Sequence, residues 1–415
     1  MQNYLRSAID TIYRKDDELI IIGLTGRTGS GCSTVAKILC SDREKIQHSL
    51  HDSNSPSNND ERKQKIIKRH FDVTWQKFEL IQVRSIITLL LIEQGVSNIM
   101  EKLRELLDGE KNLNFDDLRK VLEKIETSLN EEKSSNISEL TIQFYTINLP
   151  DFCTELRVVL GESAFIKLYQ EIGKNIRLSG LPLNGNLIEG KFFTLAEKIN
   201  LIIKIIISAN KELKKSTLIV VDAIRSNLEA MFFQDRYAAF YLAAVSCPDS
   251  QRKNRLYNLK FSDDDVKIID KEEYISRDLD NTETYSVQDI QACIQRADIY
   301  ISNPDQHNEV SKYSNLSDQI IRFTSLMKRP GVVTPTAIER CMQLAYTAKL
   351  NSGCISRQVG AAITDKNFSV QAIGWNDTPH GQVPCVLRNR GDLISGADQK
   401  AYSEYEKITL NILNI

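Results

Sequence analysis

The chain is expected to be an α/β protein with a parallel sheet, and three observations predict this. An apolar run, ELIIIGL, passes through the glycine-rich turn TGRTGSG into STVAKILC, whose apolar residues recur at helical spacing. Two later runs, STLIVVDAIRS and RYAAFYLAAVSC, have the continuous apolar character of strands covered on both faces. After a break at Lys328, Arg329, Pro330 and Gly331, a helix followed by two strands opens a second α/β unit.

The elements follow in order. Beyond the first helix, HDSNSPSNNDERKQK is rich in Ser, Asn and charge and reads as an exposed loop. From about 43 to 215 the apolar residues recur at threes and fours, as in FELIQVRSIITLLLIE and DLRKVLEKIETSL, which predicts a mostly helical insertion. The first domain therefore spans 1–326, and the second runs over 327–415. In TPTAIERCMQLAYTAKL, Thr336 and Glu339 form a capping-box pair, and Ile338, Met342 and Ala345 are expected to make the apolar face of that helix. VGAAITD and FSVQAIGWND then read as strands joined by a turn at Asp365 to Asn367.

With 415 residues the chain is long enough for two or three cores. Its 53 Lys and Arg against 55 Asp and Glu leave a net charge of −2, which excludes an electrostatic case for obligatory nucleic-acid or anionic-membrane binding. No apolar run is long enough to span a bilayer and the first twenty residues lack a signal-peptide pattern, so a cytoplasmic location without a membrane partner is expected. Eight dispersed cysteines without a C-x-x-C pair fit reduced thiols.

GRTGSGCS has the spacing of the phosphate-binding loop G-x-x-x-x-G-K-[ST], with Cys32 in place of lysine. Gly26, Gly29 and Gly31 let backbone amides turn toward a phosphate, and the helix starting near Ser33 and Thr34 adds its positive end. A cysteine supplies no ammonium to follow charge on the outer phosphates, so binding is expected more than phosphoryl transfer; Arg27 is the candidate stand-in. Asp222, ending its strand, suits a magnesium or water ligand, and Arg252 and Arg255 suit phosphate, as do Arg277 and Asp278 in SRD. Each is equally readable as a solvated charge. In order, IGLTGRTGSGCSTVA, VVDAIRS, CPDSQRKNRL, RD and ADIYISN resemble P-loop nucleotide kinases of the dephospho-CoA and deoxynucleoside-monophosphate type, which implies a P-loop NTPase-like sheet.

SRQVGAAITD followed by AIGWNDTPHGQVPC resembles the start of the deoxycytidylate deaminase domain, a cytidine-deaminase-like α/β fold. Together the two halves resemble the two-domain bacterial antiphage deoxycytidylate (dCMP/dCTP) deaminases. The resemblance implies zinc-dependent hydrolytic deamination of cytosine, with deoxycytidine nucleotides as ligands, ATP or a dNTP with magnesium at the loop, homo-oligomers and an inhibitory partner. It further implies that Asn376 approaches the nucleotide sugar and that Arg357 and Arg388 meet phosphate.

The family's H-x-E and P-C-x-x-C zinc motifs do not follow the GWN strand, so the zinc ligands are expected beyond residue 415. His307-Asn308-Glu309 spells H-x-E upstream of the wrong strand, Cys385 lacks its partner cysteine and suits at most a structural metal, and His380 reads as a surface histidine. A deaminase domain lacking its later elements is expected to expose an apolar sheet face and a free edge. Two other functions remain open: a non-catalytic nucleotide-binding regulator with a degenerate loop, and a nucleotide kinase.

Overall fold

In the computed structural model, the described residues are 19–50, 55–107, 113–134, 138–273, 288–305 and 313–413. Arg277, Asp278 and the His307 to Glu309 triplet lie outside them. The chain divides into two compact units, Met1–Val332 and Val333–Ile415.

The first unit begins with β1 (Leu19–Thr25) and α1 (Cys32–Leu39), followed by α2 (Asn59–Thr74) and β2 (Glu79–Gln82). A helical region comes next: α3 (Val83–Ile92), α4 (Val96–Leu106), α5 (Phe115–Ser134), α6 (Ser138–Gln143), α7 (Leu149–Leu160), α8 (Glu162–Ser179) and α9 (Thr194–Glu212). The chain returns through β3 (Thr217–Asp222), α10 (Asn227–Arg236), β4 (Phe240–Ser246), α11 (Asp249–Asn258), α12 (Asp263–Glu273), α13 (Ile290–Arg296), β5 (Ile299–Ser302) and α14 (Ser314–Lys328). The five strands form one parallel sheet in the order β2, β3, β1, β4, β5.

Side chains alternate across this sheet. Ile21, Ile81, Ile219, Val221 and Leu242 face the helical region and share its core with Ile86, Ile172, Ile199 and Ile203. Ile20, Ile22, Leu24, Leu218, Val220 and Ala243 face the other way, against Val35 and Leu39 of α1 and Leu316 and Ile320 of α14. Because both faces are covered, β1 and β3 are nearly continuous apolar sequence, which is why they were recognisable as strands.

This part of the chain departs from expectation at two places: Asn59 to Lys65, read as part of an exposed loop, open α2, which Asn58 caps by accepting from the Glu61 amide, and the other is a strand. Glu79 to Gln82, read within a helical pattern, is a strand that pairs with β3 from Glu79↔Ile219 to Gln82↔Asp222. Four residues are too few to establish a period, and the backbone groups offered by β3 decide the outcome.

Glu79 sits at this edge with both carboxylate oxygens accepting from Asn210 Nδ2, at 3.1 and 3.0 Å. Burial pushes its carboxyl up to about 7, against the pull of Asn210 and Lys215. A raised acid pKa means that the folded state holds the proton longer than the unfolded chain does. Its stabilising contribution is complete below the unfolded value near 4.5 and is lost as pH rises toward 7. Glu79→Gln is therefore expected to gain stability relative to the parent on going from pH 5 to pH 8, by about 1 kcal/mol after allowance for partial exposure. Urea unfolding at both pH values checks this, and a pH-independent difference would contradict it. Asn210 Oδ1, which has no hydrogen-bond partner, would accept from the new amide.

The second unit contains α15 (Ala337–Lys349), the antiparallel pair β6 (Gly360–Thr364) and β7 (Val370–Trp375), α16 (Arg390–Ser395) and α17 (Glu404–Leu413). The Thr336–Glu339 capping box forms, with both reciprocal bonds present. The expected apolar face packs only in part: Ala345 is half-buried, Ile338 and Met342 are exposed, and the buried residue of the helix is Ala348. The reason is close approach. A Cβ on Gly360 would lie 2.0 Å from Ala345 O and 2.4 Å from Lys349 N, so the strand meets the backbone of α15 near Ala345 and Lys349, with no room there for a long side chain. Throughout β7 the residues are exposed, including Ile373 and Trp375.

Candidate functional site

The sheet positions one site. Its strand order reverses around β1, and the loop 26–31 leaves the C-terminal end of that strand, where open parallel sheets form a ligand crevice. Two glycines are required by backbone geometry: Gly29 at φ +88 and Gly31 at φ +110. Gly26 is required by proximity, since a Cβ there would lie 2.5 Å from Val245 O at the end of β4.

At the start of α1, Ser33 donates from Oγ to Asp222 Oδ2 at 2.8 Å, joining the loop's helix to the end of β3. The adjoining amides of Cys32 and Ser33 belong to the first turn, where no intrahelical acceptor exists. Thr34 lies one position further, its amide bonded to Gly31 O at 3.0 Å. These are the elements of an anion seat at a helix N-terminus.

Cys32 points the other way. Its side chain belongs to the core under α1, with Sγ 3.7 Å from Ser30 Oγ, and burial together with Asp222 pushes the thiol up to about 12. It therefore remains a neutral thiol at physiological pH and contributes no charge to the loop.

The predicted arginines do gather at the loop, but they are engaged by protein groups. Arg27 meets Asp249 at 2.8 Å and Asp270 at 2.7 Å. Arg252, about 1 % exposed, binds Asp249, both oxygens of Asp270, and Thr28 O. Arg255 donates to Gly29 O, Ser30 O, Asn303 O and Asp305. Lys253 and Arg252, with Arg27 nearby, hold the Asp249 carboxyl down to about 2, so Asp249 stays ionised across the physiological range.

Four participants were not among the residues that the sequence named for the site. Arg225 donates to Glu273 at 3.0 Å and to Thr28 Oγ1 at 3.1 Å. Glu273, with no exposure, accepts from the Thr28 amide at 2.8 Å and from the Thr28 hydroxyl. Asp270 stands one helical turn earlier on α12. Asn303, at the end of β5, donates from Nδ2 to Ser30 O at 2.8 Å. Arg225 and Asn303 fall inside recognisable strand-end phrases, VVDAIRS and ADIYISN, whereas Glu273 sits in an ordinary acidic helix.

In the second unit the predicted ligand-binding residues are tied into local structure. Asn376 accepts on Oδ1 from the Val359 amide at 2.7 Å and Ser352 Oγ at 2.9 Å, and donates from Nδ2 to Arg357 O at 2.8 Å. Its amide thus braces the 352–359 loop, while the Arg357 side chain is exposed. Arg388 donates to Val383 O at 2.9 Å and to Glu406 at 2.8 Å. Cys385 is a half-buried free thiol at the start of a short 3₁₀ turn, and His380 is exposed. Among the described residues no group of three or more His, Cys, Asp or Glu is placed to hold a metal ion. No single helix among them is long and apolar enough to cross a membrane.

Comparison with known proteins yields no matching family model, no matching curated protein and no matching solved structure.

Proposed function

We propose that the loop 26–31 binds the phosphates of a nucleotide as a P-loop, and that the chain serves a deoxycytidine-nucleotide deaminase of antiphage type. The observation that carries the first part is the Ser33–Asp222 hydrogen bond of 2.8 Å beside the N-terminus of α1. A serine hydroxyl and a strand-end carboxylate are the hard oxygen donors that magnesium takes alongside nucleotide phosphates and water. Ser33 and Asp222 would hold that ion, which would partly neutralise the phosphates. Gly29 and Gly31 keep the backbone open for them, and the first amides of α1 receive an inner phosphate.

Binding without transfer is the favoured activity of this loop. Cys32 lies in the core and Arg27, Arg252 and Arg255 are matched by acids, so among the described residues these side chains are not poised to follow charge on a leaving phosphate. A nucleotide-sensing role for the first unit follows, with deamination belonging to the second.

Support for deamination is the resemblance of residues 356–385 to the opening of deoxycytidylate deaminases. The described donor groups do not fit the zinc that such chemistry uses, so no step is drawn through it.

Asp222→Ala is expected to weaken dCTP or ATP binding by about tenfold or more in the presence of magnesium and to abolish its magnesium dependence. Isothermal titration with and without the metal checks this, and unchanged binding would remove the loop assignment. Native zinc-loaded protein given dCMP or dCTP is expected to form the deoxyuridine nucleotide. Absence of that product would eliminate the deaminase reading while leaving loop binding in place.

A further inference from the structure

We infer that Glu273 is an internal anion closing the glycine loop, and that a nucleoside triphosphate opens it by putting its terminal phosphate in place of the Glu273 carboxylate. This rests on the proposed nucleotide binding at the loop and adds its regulation and the phosphorylation state it recognises.

The surroundings of Glu273 are those of a phosphate. One backbone amide and one hydroxyl, both from Thr28, donate to its Oε1, and Arg225 reaches the same oxygen at 3.0 Å. Arg27 Nε stands 3.9 Å from Oε2, which is buried and has no hydrogen-bond partner. Two guanidinium groups, an amide and a hydroxyl around one carboxylate exceed what its occupied oxygen can use; a phosphate presents three oxygens and more charge to the same donors.

Position selects the terminal phosphate. The seat at the start of α1, formed by the Cys32 and Ser33 amides, lies at the helix end of the loop, whereas Thr28 lies near its strand end. A monophosphate held at α1 has no second phosphate to present to Thr28, while a triphosphate chain extends along the loop.

The element carrying Glu273 is also built to move. Helix α12 is anchored by a small apolar cluster of Leu256, Phe261, Val266 and Ile269, which meets the larger core through the half-buried Ile166, and by Asp265 to Lys167 of α8 at 3.0 Å. Its hold on the loop is polar, through Asp270 to Arg27 and through Glu273 to the Thr28 amide and hydroxyl, with Arg252 and Arg225 bound to the same two carboxylates. Displacing α12 therefore leaves the sheet packed and releases guanidinium groups to the incoming phosphates.

The full chain and its Glu273→Gln variant, titrated with dCTP and dCMP, test the inference. The variant is expected to bind dCTP about tenfold more tightly than the parent and dCMP equally. In the parent, amide hydrogen exchange across 263–273 is expected to speed up when inorganic triphosphate is added, a measurement that decides the matter even if the variant fails to fold. Equal dCTP affinity in both proteins, or unchanged exchange with triphosphate bound, overturns the closure while nucleotide binding stands. Equal tightening for dCMP overturns selection of the terminal phosphate. No binding of any of these by either folded protein defeats the loop assignment, and the closure with it.

Discussion

Arg177→Met is expected to destabilise the first unit by about 3–5 kcal/mol, the largest single-site loss among the described ion pairs. Arg177 on α8 donates from Nε to Glu229 on α10 at 2.7 Å, and the two side chains are 3 % and 2 % exposed. Its Nη1 also donates to Gly173 O at 3.2 Å. Methionine fills similar volume but leaves the Glu229 carboxylate without a counterion, and Glu229 Oε2 already lacks a hydrogen-bond partner. The cost comes from the stranded charge more than from lost attraction. Adding Glu229→Leu to the same chain is expected to recover most of the loss, because an apolar pair needs no partner. Denaturant melts of the two single variants and the double variant separate these terms, and a double variant no better than Arg177→Met would contradict the explanation.

Gly31→Ala is expected to lower stability by about 2 kcal/mol or more and to abolish nucleotide binding. At φ +110 an L side chain is strained, and the added Cβ would stand 2.1 Å from Asn303 Nδ2. Relief requires Asn303 to withdraw from Ser30 O, which detaches the loop from the end of β5. Thermal denaturation and dCTP titration read the two consequences separately. Gly161→Ala is the useful contrast: φ is also positive, at +77, but nothing lies within 4 Å of the new Cβ. A comparable stability loss there with binding intact would show strain alone, while loss of binding only in Gly31→Ala would locate the effect in the loop.

The fold was most readable where burial is two-sided. β1, β3 and β4 announce themselves as apolar runs because helices cover both faces of the sheet, and the glycines of the loop mark a turn that other residues do not fit. The edge strand β2 was hidden within a helical pattern because its four residues are defined by pairing to β3, a partner more than a hundred residues away. On α15, periodicity named Ile338, Met342 and Ala345 as the packing face, yet only Ala345 of the three is half-buried, because β6 approaches the helix backbone at Ala345 and Lys349. Local spacing describes which residues share a face but carries no information about how closely the next element comes.

For the candidate site, the sequence by itself determined the inventory: a glycine-rich turn without its lysine, a carboxylate ending a strand, and arginines downstream. It also joined the segments carrying Ser33 and Asp222 into one α/β domain, while the contact between them came from the tertiary structure. Only the tertiary structure decided how those charges are paired, because α11 and α12 bring Asp249 and Asp270 onto Arg27 and Arg252, which had been assigned to phosphate, and Glu273 onto Arg225. It likewise turned Cys32 into the core and engaged the Asn376 amide in bracing its own loop. The physical reason is common to these cases. A charged or polar side chain takes whichever partner lies within about 3 Å, and that proximity is set by how distant segments pack.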